Sequence, residues 1–486
     1  MSLVKGLLIG SAAIMAVTIS VQAADLPLRK AAPVDYVRVC DWTGAGFFYI
    51  PGTDTCLQIS GFVRAEYAYV DNARTFSPTS GVFSPKNTNI ARGGSAVGGG
   101  TIIPGRNRDQ SGFFTRGRLA VDARTQTAYG TLRTYVRYQM DRYGGNYSAG
   151  APGGSSSAAY LDKGFVQFAG ITAGRVQSFF DFYADNYNYD AIANSDSSTQ
   201  VLAYTANFAG GFSAIVSLED PSVRRDGIGN FYGSSNLATP GNVSFSGARI
   251  PDVVGVLRVD QVWGAAQLSA AYHQLPTSTA SLGDNGQAFL AKDDNGFAVQ
   301  GGIQLKLPML AAGDDLWVEG AYGNGAYRYV DNYGGSNSGF YNVVVGGFQR
   351  ADRDAYAVFN PVSGTYSLAK SEAYSAMVAL NHYFTPNFHD VLYGSYAHSS
   401  YGQAAQSVSW TNGGIGASDQ FKVGNQFLWD PVKNLELGLD LMYTRINQNI
   451  PGLKTAAGGV AATALPAGVA SNPDSFVARF RVERDF

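Results

Sequence analysis

The sequence predicts an all-β chain, a 16-stranded antiparallel transmembrane β-barrel, from three observations. Apolar residues recur with period two in segment after segment, as in strands with one apolar and one polar face; a helix would repeat them at three and four. The connections between these segments alternate between short and long along the chain. Composition agrees: 59 Gly, 29 Tyr and 28 Phe stand against only 15% charged residues in 486, a balance of turns and aromatics that favours strands. The formal net charge of -2 offers no basic excess, so no nucleic-acid partner is expected.

Residues 1–23, MSLVKGLLIGSAAIMAVTISVQA, carry one Lys, an apolar run from Gly6 to Ile19 and a small-residue cleavage site at Val21-Gln22-Ala23, the pattern of a secretory signal peptide. Its removal takes away Lys5 and moves the formal charge from -2 to -3. No later run reaches 18 apolar residues, so no spanning helix is expected. Residues 24–56 form an N-terminal segment that holds the only two cysteines, Cys40 and Cys56. In an exported chain a disulfide between them is favoured over two free thiols and would staple the segment to the first strand. Two thiols with no nearby His are too few for a metal site, and neither a metal nor a cofactor is expected.

The barrel is expected over 57–486. Strand one, 57–70, puts Leu57, Ile59, Val63, Ala65 and Tyr67 on one face and Gln58, Ser60, Arg64 and Glu66 on the other. Strand two, 113–124, sets Leu119, Val121 and Ala123 against Arg118, Asp122 and Arg124; strands three to five follow at 130–141, 159–168 and 171–175. Strands 201–208 and 212–219 flank the turn FAGG, and strands 253–262, 265–273, 297–307 and 315–322 come next. Strands 371–384 and 389–400 flank TPNF, 419–429 and 435–446 flank DPVKN, and 475–486 is last. Odd-numbered strands are followed by long Gly/Ser/Asn-rich connections such as 71–112, 220–252, 323–370 and 447–474. An even strand count with this asymmetry belongs to an outer-membrane barrel, with short periplasmic turns and long extracellular loops.

In the third strand, TLRTYVRYQM, Arg133 and Arg137 stand four apart and would share a face of either a helix or a strand. Membrane energetics decides the side. An Arg on the lipid face at the bilayer midplane costs about 2–4 kcal/mol, so turning Arg64, Arg116, Arg118, Arg133 and Arg137 outward would cost on the order of 10–20 kcal/mol. All five are therefore expected on the inner wall, facing the aqueous lumen that a barrel of this width encloses. The connection after strand five, about 176–200, contains Asp181, Asp185, Asp190 and Asp196 among many aromatics, too many for a freely solvated loop. Folded inward, it would oppose its carboxylates to the basic wall across a constriction; packed on the rim, its aspartates would make only surface hydrogen bonds.

Other chemistry is weaker. The four histidines, His273, His382, His389 and His398, come with no G-x-S-x-G motif and read as polar barrel or turn residues; no enzyme is expected. GGSAVGGG (93–100) lacks the Lys-Ser/Thr of a phosphate loop, and NVS (242–244) carries little weight in an envelope protein of bacterial type.

Three segments then carry a resemblance: VCDWTGAGFFYIPGTDTCLQISGFVRAEY (39–67), GFVQFAGITAGRVQSFFDFY (164–183) and the C-terminal FRVERDF (480–486). They resemble the alphaproteobacterial general porins of the Bradyrhizobium and Brucella type. The resemblance implies a homotrimer of barrels in the bacterial outer membrane, in contact with lipid and lipopolysaccharide, each pore narrowed by the third long loop. The expected function is passive diffusion of small hydrophilic solutes and ions; the alternative is a structural or adhesive barrel with a plugged lumen.

Overall fold

A computed structural model describes residues 38–70, 109–147, 155–226, 228–230, 247–277, 293–332, 353–360, 365–402, 416–449 and 474–486. The expected signal peptide, GGSAVGGG and NVS lie outside the described residues. The sixteen barrel strands run in chain order, each antiparallel to its neighbours. They are β1 (Thr55–Val70), β2 (Ser111–Thr127), β3 (Gly130–Gly144), β4 (Ser155–Phe168), β5 (Ile171–Gln177), β6 (Ser198–Asn207), β7 (Phe212–Glu219) and β8 (Asp252–Gln261). The second half comprises β9 (Gly264–Leu275), β10 (Asp294–Lys306), β11 (Asp315–Asn324), β12 (Thr365–Thr385), β13 (Phe388–Tyr401), β14 (Ser418–Val432), β15 (Leu435–Gln448) and β16 (Asp474–Asp485).

Closure is made by β16 on β1, in a register running from Val477 opposite Val70 to Asp485 opposite Phe62. The C-terminal Phe486 continues the seam, its N–H donating to Gly61 O at 3.0 Å while Gly61 N–H donates to Phe486 O at 3.2 Å. A membrane barrel needs this seam, because an open edge would leave unpaired backbone groups in hydrocarbon.

Alternation gives the wall its two faces. Ile59, Val63, Leu119, Leu132, Val136, Tyr138, Met140, Val299 and Phe480 project outward as exposed apolar side chains. The intervening positions point inward and are polar, as Glu66, Gln139, Gln300, Asp440 and Arg479 illustrate. One irregularity matters for the lumen. Between β3 and β4 the register slips, with Arg137 opposite Lys163 but Tyr138 opposite Leu161, so Asp162 is an extra residue in β4. A bulge of this kind lets two successive side chains share a face.

At the short-turn end, a disulfide joins Cys40 to Cys56 with their Cα atoms 6.1 Å apart, and the short strand Phe48–Tyr49 pairs with the start of β1. At the long-loop end, Ile228–Asn230 pairs in parallel with Ala355–Asn360, which also folds back on the beginning of β12.

Candidate pore constriction

The third long loop, residues 178–197 between β5 and β6, folds into the barrel. Its path follows the wall from β7 round to β16. At its start, Ser178 Oγ and Phe179 N–H donate to the Glu219 carboxylate on β7 at 2.6 and 3.1 Å. Gln267 on β9 lies 3.1–3.3 Å from the carbonyl oxygens of Phe179, Phe180 and Asp181, and Tyr183 N–H donates to Glu319 on β11 at 2.9 Å. Farther on, Tyr189 and Asp190 N–H groups donate to Asp440 Oδ2 on β15 at 3.1 and 3.2 Å, and Lys422 on β14 donates to Ala191 O at 2.8 Å. Arg479 on β16 completes the hold on Tyr189 O, at 3.0 Å, and on the Asp190 carboxylate.

Aromatic packing accompanies these bonds. Phe182, Tyr183, Tyr189 and Ile192 are buried against Trp317, Tyr393, Leu428 and Met442 of the wall, and the Phe182 ring lies 5.0 Å from that of Trp317. Two inward-facing glycines make room for them: a Cβ on Gly302 would lie 2.4 Å from the Phe182 ring, and one on Gly438 would lie 2.0 Å from Tyr189 Oη. The aromatic content that argued against a solvated loop is thus satisfied by burial inside the barrel.

The loop leaves a lumen of about 810 Å³ between itself and the wall of β1–β4. Six basic and six acidic side chains line it. Of the five arginines expected on the basic wall, Arg64, Arg116, Arg118 and Arg137 line this space, and Arg133 does not. Arg133 lies three residues from the short-turn end of β3, where its Nη2 meets Asp122 at 2.9 Å. Of the four loop aspartates, Asp185 and Asp196 line the lumen. Asp181 and Asp190 lie behind it, fully enclosed as the partners of Arg224 and Arg479. Alternation leads to Arg481, Glu436 and Glu483, which also line the space; Asp162 and Lys163 are adjacent in sequence and reach it together because of the bulge.

The wall's charges are unevenly compensated. Arg116 makes a two-bond contact with Asp141, 2.8 Å in each bond, and Arg64 pairs with Glu483. Arg137 Nε donates to Asp162 at 2.5 Å, and Arg481 Nε to Glu66 at 2.7 Å. On the loop, desolvation first and the neighbouring Asp196 charge second push the Asp185 carboxyl well above the usual carboxylate range. Burial likewise raises Asp190, against the pull of Arg479.

The histidines are held by separate partners: His273 Nδ1 lies 2.8 Å from Asp252, His382 Nδ1 2.7 Å from Asp314, His389 Nδ1 2.8 Å from Asn381, and His398 Nδ1 2.8 Å from Asp419.

A closed sixteen-stranded barrel with an apolar exterior, a charged lumen and a long loop folded across it defines an outer-membrane barrel of the pore-forming class. The chain belongs to the porin family described as Porin subfamily, whose match covers residues 25–465. Porin Omp2b of Brucella suis is 31% identical over 278 residues, 55% of this chain, and Porin Omp2b of Brucella melitensis is 30% identical over 278 residues. The matched region spans 66% of each relative's length. Among solved structures, the outer membrane channel DcaP of Acinetobacter baumannii has a similar fold, with a TM-score of 0.54 at 13% identity over 89% of this chain and 99% of that one.

Proposed function

We propose that this porin is a passive diffusion channel for small hydrophilic solutes and ions, narrowed where residues 178–197 face the basic wall of β1–β4. The observation that carries this reading is the placement of Asp185 and Asp196 on the same lumen as Arg64, Arg116, Arg118 and Arg137. Opposed charges in a narrow wet passage create a transverse field that orders water and orients dipolar solutes. Porin membership favours a channel over an enzyme. The exposed apolar belt suits outer-membrane lipid, with lipopolysaccharide in the outer leaflet, and part of that belt would be shared between subunits of a homotrimer.

Swelling of proteoliposomes in sugars of graded size tests the reading. Swelling rates should fall steeply as sugar size rises, and liposomes that swell no faster than protein-free ones would reject it. SDS-resistant, heat-modifiable oligomers on gels are the expected sign of the trimer; a monomer band under all mild conditions would count against it.

A further inference from the structure

We propose that Arg118 and Lys163 form an anion-binding subsite in the lumen, at which a compact carboxylate or phosphate pauses during passage. The inference rests on the channel reading and adds a ligand class and a place to it.

The argument begins with which positive charges are already matched. Arg64, Arg116, Arg137 and Arg481 each pair with a carboxylate, respectively Glu483, Asp141, Asp162 and Glu66. Among the described residues, Arg118 and Lys163 have no carboxylate within 4.0 Å, although both line the lumen. The Arg118 guanidinium donates one hydrogen bond, from Nη2 to Gln139 Oε1 at 3.2 Å, and lies over the Phe62 ring at 4.4 Å. Its Nε is buried without a partner. A guanidinium held by an amide and a ring keeps its charge uncompensated and most of its donors open, whereas one paired with a carboxylate has its charge compensated and part of its donor capacity used.

The backbone brings the second cation to the first. Arg118 is opposite Gln139 across β2 and β3, and Arg137, two residues along β3, is opposite Lys163 on β4. The bulge at Asp162 has two effects here. It gives Arg137 its carboxylate and turns the next side chain, Lys163, to the same face, so the added acid is consumed by Arg137 while the added cation is not. Lys163 feels the charges of Arg137 and Arg118, and Arg118 those of Arg137, Arg64 and Arg116. Asp162 attracts both cations, and Asp196 attracts Lys163, without an ion pair to either, so an entering anion would relieve the cation–cation repulsion. Gln139 borders the same space and its side-chain NH2 group can donate to the ligand, whereas the Tyr160 hydroxyl there accepts from Arg116 at 3.2 Å and donates to Asp141 at 3.3 Å.

The test uses inorganic phosphate as the probe on the full-length protein in planar bilayers, with KCl as the carrying salt. Phosphate should reduce chloride current saturably, and Arg118→Gln or Lys163→Gln should each raise the half-blocking concentration roughly tenfold, the size expected for one lost charge-assisted hydrogen bond. Arg133→Gln, at the short-turn end, should leave that concentration within about twofold of its starting value. Acetate and succinate, used in turn, separate a carboxylate site from one restricted to phosphate. A conducting channel that phosphate fails to block, or that both variants leave equally blocked, overturns the subsite and spares the channel reading. A silent membrane overturns the channel reading itself.

Discussion

Arg224, in the fourth long loop, and Asp181, at the root of the third, form an ion pair in which neither side chain touches solvent, with Nη2 2.5 Å from Oδ1. Arg224 Nη1 also donates to Ser195 Oγ at 2.8 Å and to Arg328 O at 3.0 Å, so one guanidinium ties together both ends of the constricting loop and the sixth long loop. The loop inside the lumen is therefore secured from the extracellular side as well as from the wall.

Removing one partner of a buried pair strands the other charge, so Asp181→Ala or Arg224→Ala should each cost about 3–5 kcal/mol of local stability. The double variant should cost less than the sum. Thermal melting of the four proteins, arranged as a double-mutant cycle, measures the coupling, and strictly additive effects would show that the pair does not hold the loop.

Gly438 makes a sharper probe of the loop's seat. Its added Cβ would lie 2.0 Å from Tyr189 Oη, which donates to Glu436 Oε1 at 2.7 Å. Gly438→Ala should displace Tyr189, lower stability by about 1–3 kcal/mol and increase open-channel current noise. Gly117, where a Cβ meets nothing within 4 Å, supplies the control, and Gly117→Ala should change neither quantity.

Acidity should tune selectivity through Asp185. Its carboxyl is raised by desolvation and then by Asp196, so it gains its negative charge at higher pH than an ordinary Asp. As pH rises through the raised titration range of Asp185 the lumen becomes more negative and the reversal potential in a KCl gradient should move toward cations. Asp185→Asn should abolish that step, and a step of unchanged size in the variant would assign it elsewhere.

The disulfide acts on the short-turn end. Cys40 and Cys56 are 16 residues apart, a separation for which chain entropy predicts about 3 kcal/mol of constraint. Cys56→Ser should speed hydrogen exchange in 38–54 while leaving channel conductance within about 20%, because neither cysteine lines the lumen.

Much of this architecture was legible in the sequence because alternation and the cost of charge in lipid are local or general properties. Arg133 and Arg137, four residues apart, mark two steps of a strand, and Leu132, Val136, Tyr138 and Met140 face outward as their alternation requires. Two features resisted that reading. Strict period two places Asp162 and Lys163 on opposite faces, and only the pairing of β4 with β3 reveals the extra residue. Nothing around the loop aspartates separates the anchors from the lumen-facing pair. Asp181 and Asp190 find their cations 43 and 289 residues away in sequence, so their burial depends on contacts that only the closed barrel creates. Arg133 reads as part of the wall by its face, yet its height near the short turn gives it to Asp122.

Single-channel recording in planar bilayers tests the central claim most directly, by comparing the unmodified protein with Asp185→Asn/Asp196→Asn. Steady ohmic steps that scale with bath conductivity are predicted, with a reversal potential that shifts toward anions in the double variant. Absence of such steps, or a reversal potential indifferent to both carboxylates, would contradict a passage bounded by the loop and the basic wall.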